Sequence, residues 1–251
     1  MGIAGAVRRR LRALHDKVRG TEHERFMKRV ANDNAKFDAK FGTDTAGTIA
    51  VSDHEAPDDA ARGAFPYQPV HETVLITIIN AIAPNPGEYE FLDVGSGKGK
   101  ALLVASTFPF RRVRGIEFFP ALHEVANNNI QLFAASAQTR SNELLSCCID
   151  AREVDGFEGK TLVYLFNPFD EELMTQFVRH LENEAKAPGK SFVVAYLGPM
   201  HNGPFEDSKV FRRLFKSPRL CVYGTEDTSL PDAACETLAA KFGSWRLEVL
   251  K

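Results

Sequence analysis

The sequence lacks the features that tie a chain to a bilayer or to a metal. No apolar run approaches the ~18 residues that a membrane-spanning helix needs, and the first residues have no apolar signal core. The histidines form no H-E-x-x-H motif, and the four cysteines form no C-x-x-C pair. We therefore expect a cytoplasmic protein with free thiols and with neither a disulfide framework nor a metal site.

The chain also has little net charge. A formal charge of −2, with 44% apolar and 25% charged residues, is typical of a globular protein and gives no overall footprint for nucleic acid. Residues 1–40 are the exception, because they hold eleven Lys or Arg against five Asp or Glu. Apolar residues at helical spacing in 3–19, and a second helical stretch over 22–40, predict an amphipathic N-terminal extension. It either packs on the protein or docks an acidic partner, RNA or an anionic membrane surface, and an organellar transit peptide is the less favoured alternative.

Residues 41–65 differ in composition from both of their neighbours. Five Asp or Glu stand against a single Arg, with Gly, Thr, Ala and Pro between them. This pattern predicts a loop or lid with one short strand at 48–52. We therefore divide the chain into an N-terminal helical extension with a lid-like loop, 1–66, and a main domain, 67–251.

From residue 67 onward, short apolar runs alternate with longer helical patterns. A buried helix over 73–82 precedes the first strand, and the alternation that follows predicts an α/β fold: a mostly parallel, doubly wound sheet with helices on both faces. The tail has strand-like runs without a clean long helix, which predicts an antiparallel C-terminal strand pair. The predicted strands are 90–94, 112–118, 144–149, 161–166, 190–197, 220–223 and 245–250, with helices at 98–107, 120–135 and 170–184.

The first strand ends in Asp93 and leads through Gly95, Ser96, Gly97 and Gly99 into a helix. Glycines at such a turn permit positive φ and let a ligand approach bare backbone near a helix N-terminus. The spacing excludes a G-x-G-x-x-G dinucleotide loop, because position 100 is Lys, and a P-loop, because no Ser or Thr follows either lysine of the stretch. The remaining pattern, acid-x-Gly-x-Gly-x-Gly, predicts a different nucleotide-cofactor loop.

Two further acids end the next two strands. Glu117 lies 22 residues after Gly95, where a carboxylate can accept hydrogen bonds from both hydroxyls of a ribose, and Asp150 follows the third strand. Cofactors of doubly wound sheets lie at the carboxyl ends of the strands, so we expect Asp93, Glu117 and Asp150 to surround one hollow. Taken singly, Glu117 could be an edge charge and Asp150 could merely cap a turn.

Taken together, residues 67–251 resemble the class I methyltransferases that use S-adenosyl-L-methionine (SAM). The resemblance implies SAM as the cofactor, with Asp150 facing the adenine amino group and Tyr67 near the methionine end. Phe118 is expected on the adenine face or in the core, and Lys98 either at the cofactor carboxylate or in solvent. The candidate cofactor-binding residues are Tyr67, Asp93, Gly95, Ser96, Gly97, Gly99, Glu117, Phe118, Asp150 and Ala151.

The fourth strand ends at Asn167, Pro168 and Phe169. An Asn side chain can hydrogen-bond a proton-bearing amine and an aromatic ring can wall a site, so Asn167 and Phe169 are candidate catalytic residues. The tip resembles the Asn-Pro-Pro-aromatic motif of amino-group methyltransferases with one proline missing, and the Asn-Phe tip of non-SET histone-lysine methyltransferases. With equal weight, Asn167 is the N-cap and Pro168 the first residue of the following helix.

The expected function is methyl transfer from SAM to a nitrogen nucleophile, either a protein lysine or another amine. A small-molecule methyltransferase is the near alternative. A SAM-binding scaffold or sensor without transfer activity is another, and a nicotinamide oxidoreductase is disfavoured by the glycine spacing.

Overall fold

The computed structural model describes residues 28–49, 64–65, 67–136 and 138–243. The strands within these residues are β1 (Tyr89–Val94), β2 (Arg112–Glu117), β3 (Leu144–Cys148), β4 (Lys160–Phe166), β5 (Ser191–Leu197), β6 (Arg212–Lys216) and β7 (Leu220–Gly224). They form a seven-stranded sheet of order β3-β2-β1-β4-β5-β7-β6 in the described part of the chain. Strands β1 to β5 run parallel, whereas β7 lies antiparallel between β5 and β6.

Helices cover both faces of the sheet. They are α1 (residues 28–41), α2 (Glu72–Ile82), α3 (Lys100–Ser106), α4 (Pro120–Ala134), α5 (Glu171–Glu184), α6 (Gly203–Glu206) and α7 (Asp232–Phe242). One apolar cluster joins the sheet to α1, α2, α3 and α7, and a second joins it to α5 and α6. In β1, Phe91 belongs to the first cluster while Leu92 and Val94 belong to the second. Because both faces of the sheet are covered, every residue of β1 after Tyr89 is buried, including the acids Glu90 and Asp93.

Helix α5 shows how the pattern of the sequence fixes an element. Its buried residues Met174, Phe177, Val178 and Leu181 recur at the three- and four-residue spacing of a single helix face. Asp170 is the N-cap of the helix, and its side chain accepts a hydrogen bond from the backbone N–H of Leu173 at 3.0 Å. This apolar face packs on the sheet and sets the direction in which the chain leaves the tip of β4.

The predicted fold class is confirmed: a mostly parallel α/β sheet, helices on both faces and an antiparallel C-terminal pair. The described pair is β6 with β7, so the predicted strand at 220–223 has residues 212–216 as its antiparallel neighbour. The expectation that the tail holds no clean helix is wrong, because α7 forms there with only Ala234, Leu238 and Phe242 as its buried face. The predicted partner at 245–250 and the predicted helix at 3–19 lie outside the described residues. Of the predicted strand at 48–52, Ile49 forms one antiparallel bridge with Tyr67, and residues 50–52 are outside the described part.

The strand order places a crevice above the centre of the sheet. From β1 the chain goes to β2 and β3 on one side, and then crosses to β4 and β5 on the other. At such a reversal the connections leave in opposite directions and open a gap at the carboxyl ends of the two central strands. No helix in the described residues is long and apolar enough to cross a membrane.

Candidate functional site

A cleft opens at the carboxyl ends of β1, β2 and β4. Its space, including the part open to solvent, is about 1080 Å³. All but one of the predicted site residues line it, and the exception is Gly99. The predicted residues in the lining are Tyr67, Asp93, Gly95, Ser96, Gly97, Glu117, Phe118, Asp150, Ala151, Asn167 and Phe169.

The three glycines of the loop after β1 all have positive φ, +74° at Gly95, +53° at Gly97 and +83° at Gly99. That a ligand lies against their bare backbone stays a prediction. On the side where each Cβ would lie, the space is already filled by the protein. Where a Cβ would project, protein atoms already stand: Pro168 at Gly95, the ring of Tyr67 at Gly97 and Ala126 at Gly99. The glycines are therefore required both by backbone conformation and by close packing within the protein.

The amide groups of this loop are engaged by the protein itself. The N–H groups of Gly95 and Ser96 both donate to the carbonyl of Ile116 at 2.9 Å, and that of Gly99 donates to the carbonyl of Ser96. The N–H of Gly97 donates to Glu117 Oε2 at 2.7 Å. These four amides are therefore not free to bind a phosphate group, which favours a cofactor without one.

Glu117 is buried at the end of β2, and backbone amides hold its side chain. Oε2 accepts from Gly97, and Oε1 accepts from the N–H of Phe119 at 2.9 Å. Burial raises the pKa of Glu117, while the amides of Phe119 and Gly97 lower it. An ionised carboxylate has about four acceptor positions, so Glu117 keeps capacity for a ligand hydroxyl.

Asp93, at the end of β1, is buried beside Glu117. Burial, and then the charge of Glu117, raise the pKa of Asp93 to about 8. Within the described residues, no Lys or Arg forms an ion pair with either carboxylate. Two adjacent buried acids without a cation favour a ligand that brings positive charge.

Asp150 lies in the cleft wall, but a neighbour already engages its carboxylate. The backbone N–H and the Nε of Arg152 both donate to Oδ1 at 2.9 Å, and a guanidinium nitrogen donates to Oδ2 at 2.5 Å. The side-chain hydrogen bond from Arg152 is the main cause that lowers the pKa of Asp150. Asp150 also caps a short 3₁₀ helix, Ala151–Glu153, so the simple capping role foreseen for it is present.

Tyr67 bridges the cleft and the N-terminal segment. Its ring lies against Gly97, and its hydroxyl donates to the carbonyl of Thr45 at 2.7 Å. Burial raises the pKa of Tyr67 well above its ordinary value. Phe118, on the far side of the cleft, is only partly buried and meets the edge of Phe119 at a centroid distance of 5.7 Å.

At the tip of β4, the predicted capping role of Asn167 is wrong. Asn167 is not the N-cap of α5, because Asp170 fills that position. Asn167 instead adopts φ +50°, the left-handed region, which costs a non-glycine residue energy and is found at functional sites. Phe169 packs edge-on against Phe177 at 5.9 Å and lines the cleft.

Lys98, expected either at the cofactor carboxylate or in solvent, is buried and does not line the cleft. Its ammonium meets Asp44 Oδ1 at 2.7 Å and the carbonyl of Ala46 at 3.1 Å. Other residues reach the cleft from segments that no motif marks, namely Ile49, Ala64, Phe65, Arg152 and Tyr164. Only long-range pairing brings them there, as in the bridges Ile49 with Tyr67 and Ala64 with Phe169.

No protein-family model matches the chain. Among curated proteins, it is 32% identical over 82 residues to a release factor glutamine methyltransferase of Koribacter versatilis. That stretch is 32% of this chain and 29% of the relative, so the chain spans less than a third of the length of the curated relative it matches.

Solved structures with a similar fold include two methyltransferases. Magnesium protoporphyrin IX methyltransferase from Synechocystis, solved with bound SAM, has a TM-score of 0.45 and 12% identity over 62% of this chain and 80% of that one. The ribosomal protein L11 methylase of Lactobacillus delbrueckii has a TM-score of 0.43 and 15% identity over 72% and 97%. Likeness at this level does not bear on which molecule the chain described here acts on.

Proposed function

We propose that this chain is a SAM-dependent methyltransferase. The observation that carries the proposal is the pair of buried carboxylates, Asp93 and Glu117, side by side in a cleft whose glycine loop has four amides already bonded within the protein. SAM combines a ribose with a sulfonium and an ammonium group and has no phosphate. It therefore fits the charge and the hydrogen-bonding capacity of this cleft.

In this proposal each wall of the cleft holds one part of the cofactor. Glu117 accepts the ribose hydroxyls with the acceptor positions that Gly97 and Phe119 leave free. Phe118 and Ala151 flank the adenine, and Asp150 accepts its amino group with the capacity left by Arg152. The remaining cofactor-binding residues, on the methionine side, are Tyr67, Asp93, Gly95, Ser96, Gly97 and Gly99.

When bound, SAM supplies an electrophilic methyl group on its sulfonium. The protein's part is to position the acceptor in line with that methyl and to exclude water. Asn167 and Phe169 lie at the tip of β4 and line the cleft, where they can contact an acceptor. A nitrogen nucleophile fits this tip, because the Asn167 amide oxygen can accept an N–H and so direct the nitrogen lone pair toward the methyl.

Isothermal titration of the purified chain with SAM tests cofactor binding. We expect binding by the wild type and an affinity roughly tenfold to a hundredfold weaker for Glu117→Gln, because a hydrogen bond to a charged group is lost. Glu143→Gln, an exposed acid outside the cleft, is the matched control and should bind like the wild type. Equal affinity of Glu117→Gln and wild type would refute the site, and binding of a nicotinamide dinucleotide in place of SAM would refute the cofactor.

Methyl transfer and the class of acceptor need a second experiment. Methyl-labelled SAM is incubated with a desalted cell extract and, separately, with a mixture of small amines, and tritium should appear in protein or in the amines above background only when the enzyme is added. Label in proteins supports a protein amine, and label in small amines alone supports the small-molecule alternative. SAM binding without any labelled product would identify a binding protein that transfers nothing.

The division into residues 1–66 and 67–251 stays a prediction. The described part of the extension is nevertheless tied to the main domain, since Phe37 of α1 is buried in the first apolar cluster. A partner for the basic N-terminal residues would be revealed by binding that is lost when residues 1–27 are removed.

A further inference from the structure

Two hydrogen bonds hold the strained Asn167 from outside the cleft. The hydroxyl of Tyr196, in β5, donates to Asn167 Oδ1 at 3.1 Å, and Asn167 Nδ2 donates to the sulfur of Met200 at 2.9 Å. Tyr196 does not line the cleft, and its residue is fully buried. It therefore has no direct access to a ligand in the cleft and can affect one only through Asn167.

The surroundings of Tyr196 decide which way its hydrogen bond runs. Its oxygen accepts the backbone N–H of His201 at 3.3 Å. Burial raises the pKa of Tyr196, while the backbone N–H groups of His201 and Met200 lower it, as donors to its oxygen do. The hydroxyl hydrogen is then directed to the Asn167 oxygen, while the phenol oxygen accepts from the turn after β5.

The register of the sheet brings Tyr196 close to Asn167. Leu165 of β4 pairs with Tyr196 of β5, and Phe166 pairs with Leu197. The chain therefore leaves β4 directly beside Tyr196, and the left-handed turn at Asn167 folds its amide back toward the phenol. The residues that follow β5, from Gly198 to Asn202, close around the same hydroxyl through the amides of Met200 and His201.

We propose that Tyr196 is a positioning residue of the methyl-acceptor site, which fixes the amide of Asn167 and couples it to the turn after β5. This inference rests on the proposed function, because it assumes that Asn167 contacts the acceptor. An amide oxygen has two lone pairs, so the bond from Tyr196 leaves one for an N–H of the acceptor. Without the phenol, the partly exposed Asn167 side chain would rotate among several orientations and hold the acceptor poorly.

A spectroscopic experiment tests the positioning without any acceptor. In the ¹⁵N-labelled full chain, the side-chain amide of Asn167 is identified by its absence in Asn167→Ser, and its heteronuclear NOE reports mobility on the picosecond to nanosecond scale. We expect a rigid value in the wild type, comparable to the buried amide of Asn129, and a clearly lower one in Tyr196→Phe. Tyr223→Phe is the matched control, since that buried hydroxyl bonds Glu206 and Asn202 but not Asn167. An unchanged NOE in Tyr196→Phe would overturn the inference.

The consequence for catalysis is measured with the same variants. With methyl-labelled SAM and a fixed amount of desalted extract, Tyr196→Phe should keep the KM for SAM and lose roughly tenfold to a hundredfold in maximal rate, as expected for a misplaced acceptor group. A raised KM for SAM at unchanged maximal rate would overturn the positioning role. Absence of label with the wild type would count against the proposed function alone, because the NOE comparison decides separately on Tyr196.

Discussion

At the scale of single residues, the raised pKa of Asp93 makes the stability of the fold depend on pH. Burial and the neighbouring Glu117 raise its pKa from 3.8 to about 8. Between these values the folded chain keeps a proton that the unfolded chain has lost, so stability is greatest below the lower value and falls as the pH rises toward the upper one. Above the upper value both states are ionised and the loss is complete.

Substitution of Asp93 by Asn should remove this pH dependence. We expect Asp93→Asn to melt at a higher temperature than the wild type at alkaline pH, by about 2–4 °C for each 1 kcal/mol gained, with the difference shrinking toward acidic pH. Thermal denaturation followed by circular dichroism across this pH range measures it. Asp155→Asn, at an exposed position, should parallel the wild type. Parallel curves for Asp93→Asn as well would contradict the raised pKa.

Gly97 combines two costs that can be separated by substitution. Its φ is +53°, and a Cβ would overlap the ring of Tyr67. Gly42, with φ +72° and no atom within 4 Å of its Cβ position, carries only the first cost. We expect a loss in the free energy of unfolding of about 1–2 kcal/mol for Gly42→Ala and about 2–5 kcal/mol for Gly97→Ala. Urea denaturation of both variants measures the difference, and equal losses would mean that the Tyr67 ring simply moves aside.

At the scale of elements, Asn129 of α4 joins the N-terminal segment to the glycine loop. Its Oδ1 accepts the N–H of Asp44 at 2.7 Å, and its Nδ2 donates to the carbonyls of Asp44 and Lys98 at 2.9 Å. The side chain is fully buried. One amide group thus fastens the segment after α1 to the loop that lines the cleft.

Removing this amide should loosen that segment. Asn129→Ala leaves the backbone groups of Asp44 and Lys98 without their partner, and we expect a loss of about 2–4 kcal/mol in the free energy of unfolding. Limited proteolysis should then cut earlier within residues 43–49. The neighbouring exposed Asn128→Ala should stay within about 0.5 kcal/mol of the wild type. Unchanged cleavage in Asn129→Ala would show that the other contacts, such as Lys98 with Asp44, hold the segment without it.

At the scale of the whole molecule, α1 shares its core with the sheet. Phe37 stacks on Phe133 of α4 with a centroid distance of 5.9 Å. The buried ammonium of Lys100 lies 3.0 Å from the centre of the Phe37 ring. Burial lowers the pKa of Lys100 to about 7, the Asp38 charge opposing it. Helix α1 is therefore packed as a part of the main domain and is expected to unfold with it.

Phe37→Ala tests that cooperativity. We expect a single unfolding transition in both wild type and variant, with a loss of about 3–5 kcal/mol from the cavity left in the core. Calorimetry would show a second, earlier transition if α1 unfolded independently of the sheet. Lys36→Ala, whose side chain is 69% exposed on the same helix, should change stability by no more than about 0.5 kcal/mol.

Local patterns in the sequence were sufficient for much of the architecture. The spacing of apolar residues predicted α5 and the strands β1 to β5 to within a few residues, because burial imposes a period of 3.6 on a helix and unbroken apolar runs on a central strand. The strand-end acids and glycines likewise marked one edge of the sheet. Glu117 was found in this way, because a carboxylate in an apolar strand is rare without a use.

What the sequence alone determined, then, is the α/β class and the glycine loop with the strand-end acids, since each depends on neighbours in the chain. The tertiary structure decided the rest: that Lys98 faces Asp44, that Ile49 pairs with Tyr67, and that Tyr196 holds Asn167. These contacts depend on the register between strands and on the path of the N-terminal segment. Such long-range geometry results from packing of the whole chain, and no local pattern specifies it.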